Sequence, residues 1–336
     1  MNKQIIKKIL PKIVFDFLRV NYNKYKIRKA YYYDYKRYCE YSSTTDLNSQ
    51  LKLEAMIIRE SHIIEKGLTM PEIRIGFGEQ KMLSLCNNCY DYITKYTPVT
   101  PQVAHAISVI KEYQIFQSKN NFELCAELNT RISSLLSSRV VSNIEASQQE
   151  KITKEAYFTH VDSPFATFSS SRKSIRNYSS EEIPLERLQD AFSIALNTPS
   201  ACNRQTVRTY VYSDKSTIKK ILDAQMGAGG FGYLSNKLIV ITAELGVFSE
   251  AQERYQAYID GGIYAMNLLY ALHSLKIAGC ILNCSHTPGK DLILRDLCKI
   301  KDSENFIAMI SCGIPPEVFA IAISKRYRLE DIVTFK

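Results

Sequence analysis

The sequence predicts an α+β chain in two parts: an all-α domain over residues 1–155, then a domain over 156–336 in which helices alternate with strands. Three observations predict it. From Leu47 to Ser138 apolar residues recur every three to four positions, and no strand-like alternation interrupts them. Residues Ser142 to Ser171 are polar, rich in Ser, Thr, Asp and Gln with one Pro, which is the composition of an interdomain connection. Beyond Pro184, helical periods and short apolar runs take turns.

Taken in order, the elements begin with a basic arm, residues 1–40, in which Ile6, Leu10, Ile13 and Phe17 fall at helical spacing and Pro11 interrupts them. LNSQLKLEAMIIRESHIIEKG reads as a helix ended by Gly67 as its C-cap, and QVAHAISVIKEYQIFQSK and FELCAELNTRISSLLSS read as two more. Pro184 then opens a helix through PLERLQDAFSIALN, and Arg208 to Ser213 (RTYVYS) reads as a strand. Asp214 is placed to cap the helix of DKSTIKKILDAQ. A Gly-rich segment, Gly227 to Gly232, precedes the strand KLIVITA. A long helix from about Glu250 to Leu275 follows, and then GCILNC and NFIAMISCG read as two further strands. The apolar strands imply a sheet buried between helices.

Composition narrows the function classes. No apolar run reaches the length that spans a bilayer; the longest, Gly261 to His273, reads as a buried helix. The opening segment is too broken by Lys7, Lys8, Pro11, Lys12 and Asp16 to be a signal peptide, so the chain reads as cytoplasmic. Nine cysteines, an odd number without a framework spacing, fit a reducing compartment. Cys86-Asn-Asn-Cys89 lacks the second pair a structural zinc site needs, and the five histidines make no ligand spacing, so no metal is expected. Of the net +9, nearly all lies in residues 1–40, which hold eleven Lys/Arg against three Asp/Glu. The body is balanced, which argues against nucleic-acid binding there. For the arm, a helix packed on the protein leads, followed by a peripheral helix on the inner membrane face, and then an RNA or partner-binding segment.

Chemistry concentrates in the second half. Arg172-Lys173-Ser174-Ile175-Arg176 sets three cations and a hydroxyl just before a helix, a composition that holds a phosphate dianion by charge-assisted hydrogen bonds. Read alone, it is also a solvated charge run. Pro199 to Gln205 (PSACNRQ) offers short polar side chains with paired donors and acceptors. Read alone, it is an ordinary turn from helix to strand.

Order and spacing carry the reading further. SRKSIRNY at 171–178, PSACNRQ at 199–205, the helix GGIYAMNLLYALHSLKIAGC, the strand end ILNC, AMISCGIPPE and the tail SKRYRLEDIV together resemble the FMN-dependent nitroreductase superfamily, over roughly half of the chain. ESHIIEKGL followed by GFG is similar to the helical extension of nitroreductase-like proteins that accompany bacterial surface-polysaccharide synthesis.

The resemblance implies a three-layer α/β/α FMN domain that forms a homodimer with FMN at the subunit interface, and a ping-pong cycle from NADH or NADPH through flavin N5 to a small-molecule acceptor. It implies that Arg172 and Ser174, with Lys173 beside them, hold the phosphate and ribityl chain. Arg326 and Lys325 would add charge from the tail. Arg176 would stand near flavin N1 and O2, where a cation within ~4 Å at an effective dielectric of ~20 contributes on the order of 4 kcal/mol before desolvation. Ser200, Asn203 and Gln205 would reach the ring held mainly by the other subunit, and the backbone at Asn283 and Cys284 would face N5. No catalytic side chain is implied; His286 and Tyr233 are only near in sequence. Two departures stand out. Gln205 is followed by Thr206 and Val207 where the family usually continues Pro-Trp, and GAGGFGYLSN replaces a polar contact to the flavin pyrimidine. That glycine run precedes a strand where a dinucleotide-binding fingerprint must follow one, which counts heavily against that reading. The competing reading is a non-catalytic or flavin-retaining scaffold of a membrane-associated polysaccharide assembly system.

Overall fold

The computed structural model describes residues 11–336, so Ile6 and Leu10 of the arm lie outside the described residues. The first described helix is α1 (Lys12–Tyr41), with Pro11 at its N-cap, where its fixed φ suits a helix start. This 30-residue helix buries none of its residues. It meets the rest of the protein by polar contacts: Asp34 takes a two-pronged ion pair from Arg254, at 2.6 and 2.9 Å, and Lys26 lies 3.7 Å from Glu250. No described helix is long and apolar enough to cross a membrane.

Four helices form the first core: α2 (Gln50–Leu68), α3 (Glu79–Lys95), α4 (Pro101–Lys119) and α5 (Ala126–Leu136). Ser49 and Thr100 cap α2 and α4 by accepting from Lys52 and Val103 N–H. Ile57, Ile64, Met82, Leu85, Ile107, Ile110, Leu128 and Ile132 are wholly buried between them, the apolar stripes that the helical period announced. Gly67 is not the C-cap expected of it. The helix runs on to Leu68, and the glycine is there because a Cβ would overlap the Phe77 ring. Cys86 and Cys89 both face this core, and burial pushes the Cys86 thiol up to about 12.

The polar connection is more ordered than its composition suggested. It contains β1 (Glu150–Thr153), α6 (Lys154–Phe158) and α7 (Phe165–Ser171). Next come α8 (Leu185–Ala195), β2 (Val207–Tyr212), α9 (Lys215–Gln225), β3 (Lys237–Glu244), α10 (Gln256–Ser274), β4 (Ala278–Asn283), α11 (Pro288–Cys298), β5 (Glu304–Gly313), β6 (Val318–Ile321) and α12 (Leu329–Ile332). Asp214 caps α9 as expected, accepting from Thr217 N–H at 2.8 Å. The long helix starts later than its sequence pattern, after a separate 3-10 turn at Ala251–Glu253.

The main sheet runs β2-β3-β5-β4 with every neighbouring pair antiparallel, and β1 pairs with β6 in a second, two-stranded sheet. Along β3 the side chains alternate between two cores. Leu238 and Val240 meet α9 and α11 through Ile218, Ile221 and Leu294, whereas Ile239 and Ile241 meet α8 and α10 through Ala191, Leu268 and Leu272. Both faces are therefore apolar, and the architecture is three-layered α/β/α behind an all-α first half.

Candidate functional site

The cationic segment follows a helix instead of preceding one: Arg172 is the C-cap of α7, and the chain stays irregular until Pro184. No helix N-terminus backs these cations, so their own side chains must do any anion binding. The segment is pinned along the free edge of β4. Ile175 N–H donates to the Gly279 carbonyl at 3.2 Å, Ser179 N–H to Ile314 at 2.8 Å, and the Tyr178 hydroxyl lies 2.7 Å from the Ile175 carbonyl. Ile175 and Tyr178 are the buried anchors, and the Tyr157 hydroxyl holds the Lys173 carbonyl at 2.9 Å.

Between these anchors the cations lack acids. Arg176 is only 8% exposed. Among the described residues neither it nor Arg172, Lys173, Lys325, Arg326 or Lys66 forms an ion pair with a carboxylate. Arg172 Nε is buried without a hydrogen-bond partner. Burial raises the Cys280 thiol pKa on β4, and Arg176, Lys66 and Arg172 oppose that rise, so three cations bear on one point. Lys66 has its own pKa lowered, first by burial and then by Arg176. Arg176 is buried and Arg172 and Lys66 are half-buried, and cations so placed without acids ask for an anion.

Behind Arg172 lies His273, 1% exposed, with Nε2 2.9 Å from the Ser171 hydroxyl and Nδ1 unpartnered. Tyr157, Phe158 and Phe168 ring it at centroid distances of 4.9 to 5.6 Å. Burial, then the Arg172 charge, lowers its pKa to about 4.

The 200–205 turn is a separate place. Cys202, Asn203 and Gln205 all adopt left-handed backbone, which costs on the order of 1–2 kcal/mol for an L-residue. The turn persists because it is tied down. Gln205 N–H donates to Ser200 Oγ at 2.9 Å, Ala201 N–H to the buried Asp260 carboxylate at 3.2 Å, and Arg204 pairs with Glu253. A cavity of about 310 Å³ opens beside it, lined by Phe192, Ser200, Gln205, Arg208, Asp260 and Tyr264 among others. Thr206 is fully buried and its hydroxyl donates to the Glu244 carbonyl at 2.8 Å.

Within the chain these groups do not meet. Ile175 and Arg176 flank β4, one edge of the sheet, and the turn leads into β2, the other edge. Three strand spacings, about 14 Å, separate those edges. The strand register adds a diagonal: Gly279 pairs with Cys312 and through it with Lys237, whereas Val207 lies at the opposite end, across from Ala243.

Asn283 ends β4 and Cys284 follows it. Gln225 Nε2 donates to the Asn283 carbonyl at 2.9 Å, and its Oε1 accepts from Gly227 N–H at 2.6 Å, fastening the glycine segment to the strand end. That segment is packed: Phe231 and Gly232 are buried, and Met70 of the first half sits on Gly230. His286 stands nearby with Nε2 unpartnered and its pKa lowered by burial; Tyr233 is exposed. Lys325 and Arg326 are exposed, but the residue before them is fixed: Ser324 N–H donates to Glu65 at 2.8 Å, next to Lys66. Both cationic segments thus approach the last turn of α2. Sequence reasoning missed Lys66, Asp260 and Gln225. Lys66 lies in the quoted ESHIIEKGL, but nothing in a sequence says which helix face meets another domain.

A sheet layered between helices, with a preformed and acid-free cluster of cations at one edge, defines a domain of α+β class equipped for an anionic ligand. Residues 170–229 match the model of the nitroreductase family, a segment that includes the 172–176 cations, the 200–205 turn and the first glycines. Two solved structures are similar in part. A nitroreductase family protein from Clostridium difficile 630 is 21% identical, over 52% of this chain and 98% of that one, with a TM-score of 0.44. An FMN-dependent nitroreductase from Clostridium difficile R20291 is 24% identical, over 50% of this chain and 96% of that one, with a TM-score of 0.41. No curated protein matches the chain significantly.

Proposed function

We propose that the chain is an FMN-dependent oxidoreductase of the nitroreductase type. The observation that carries this reading is the acid-free pair of a buried Arg176 and an Arg172 whose Nε is buried without a partner, inside the segment that the family model matches. These residues fit the group. Arg172 has an unused buried Nε, Ser174 makes no hydrogen bond through its hydroxyl among the described residues, and Arg176 is a desolvated permanent charge. Arg172 and Ser174, with Lys173 beside them, would hold the phosphate and ribityl chain, and Arg326 and Lys325 would add charge from the tail. Arg176 would add its permanent charge to that of Arg172 at the phosphate. FMN, when bound, would supply two-electron chemistry between NADH or NADPH and an acceptor.

The chain's own groups hold and enclose. Ser200, Asn203 and Gln205 lie too far from Arg176 to serve the same cofactor within one subunit, which supports a homodimer in which a second copy completes each site. The outward face of α10 suits that role: Tyr255, Ile259, Ile263 and Met266 form one exposed apolar stripe. The backbone at Asn283 and Cys284, held by Gln225, would line the N5 side. Purified protein is expected to be yellow with FMN, and Arg172→Ala to lose the colour while its thermal melt by circular dichroism stays within a few degrees. A colourless wild type that refuses added FMN would sink the reading. A yellow protein whose flavin neither NADH nor NADPH bleaches in anaerobic stopped flow would favour the scaffold alternative.

A further inference from the structure

The last turn of α2 is wedged against the second half of the chain. Glu65 accepts from Ser324 N–H at 2.8 Å, Glu54 lies 3.2 Å from the Tyr327 hydroxyl, and Met70 packs on Gly230 so closely that a Cβ there would sit 2.7 Å from Sδ. Lys66 belongs to this docked turn. Its neighbour Glu65 cannot serve as its counter-ion, because that carboxylate already binds His105 at 3.1 Å, His62 at 3.4 Å and the tail. Among the described residues the Lys66 ammonium makes no hydrogen bond at all, and the charge beside it is Arg176. We infer that Lys66, supplied by the helical half, is the third cation of the anion site formed with Arg172 and Arg176, and that its ligand is a phosphate monoester.

The inference rests on the reading above in one respect: the phosphate is taken to be that of FMN. Charge persistence favours phosphate over the flavin ring. The oxidised ring is neutral and its charge comes and goes, whereas three fixed cations near a buried thiol repel one another in every redox state. A permanent dianion offsets them throughout. The helical domain then becomes part of the cofactor site.

Fluorescence titration of the full-length protein with FMN and with riboflavin, which lacks the phosphate, tests this. Lys66→Met keeps the aliphatic stem and removes the charge. It is expected to weaken FMN binding about tenfold or more, the scale of one lost charge-assisted hydrogen bond, and to leave riboflavin within about twofold. Lys66→Arg should retain most of the FMN affinity, and Lys119→Met, an exposed change elsewhere, should have none of these effects. Unchanged FMN affinity in Lys66→Met overturns the inference, and so does an equal loss for both flavins. If the wild type binds no FMN, the function proposed above fails by itself, and inorganic phosphate decides the rest. A wild-type thermal shift with phosphate that vanishes in Lys66→Met upholds the site; a shift that persists, or none in the wild type, overturns it.

Discussion

His273 shows how one buried side chain couples the cationic edge to stability. In the unfolded chain its imidazole takes a proton near its ordinary value of 6.5; in the folded protein burial and the nearby Arg172 hold the pKa at about 4. Between those values the unfolded state binds the extra proton, so stability falls as pH drops from about 6.5 toward 4. Glu65 acts lower. Its carboxyl is held below the usual range by His105, His62 and the Ser324 amide against the opposing effect of burial, so its contribution is lost only as pH falls below the ordinary carboxylate value. His273→Phe, which fits the aromatic ring of Tyr157, Phe158 and Phe168, should therefore flatten the melting temperature between pH 6.5 and 4 and leave the decline below that. Parallel pH profiles of wild type and variant would refute the coupling. The histidine's site was not legible in the sequence, because its aromatic neighbours come from positions more than a hundred residues earlier.

At the scale of elements, the 200–205 turn is strained locally and held remotely. Asp260, 2% exposed on α10, accepts from Ala201 N–H and from Gln256 at 2.7 Å. Asp260→Ala leaves both donors without an acceptor, and the expected loss is about 1–3 kcal/mol, read as a lower urea midpoint with an unchanged slope. An unmoved midpoint would show that Ser200 and Arg204 suffice to hold the turn. The same scale explains what could be read in advance. Strand β3 was legible because it is apolar on both faces, and α9 because Asp214 caps it. Strands β1 and β6 were not: four residues each, with the EKIT of β1 mostly exposed, they exist only by pairing Glu150 with Ile321 and Thr153 with Val318, far along the chain. Helix α11 was hidden by Pro288-Gly289, which reads as a turn although a proline at a first helical position favours a helix. The cationic segment was legible as composition, but its place after a helix, along a strand edge, depends on the buried anchors Ile175 and Tyr178, whose partners lie far along the chain.

The whole molecule poses one question that a single chain answers in part: the groups expected to share a cofactor stand at opposite edges and opposite ends of the sheet. For the proposed flavin site to form, a second copy must bring its 200–205 turn to the Arg176 edge, and the apolar stripe on α10 is the surface available for that approach. Four exposed apolar side chains at positions 255, 259, 263 and 266 lie on one side of the helix, beside Gly262, where nothing approaches a would-be Cβ. A charge there would have to be desolvated on association, so Ile263→Lys should oppose dimerisation at a position that no buried core residue depends on. Light scattering is expected to show a dimer for the wild type and a monomer for Ile263→Lys. Because Arg172, Arg176 and Ser174 are untouched by that change, any accompanying fall in FMN affinity measures what the second copy contributes to binding. A wild type that is monomeric and still retains FMN tightly would mean that one subunit holds the cofactor alone, and Ser200, Asn203 and Gln205 would then belong to the neighbouring cavity and not to the flavin.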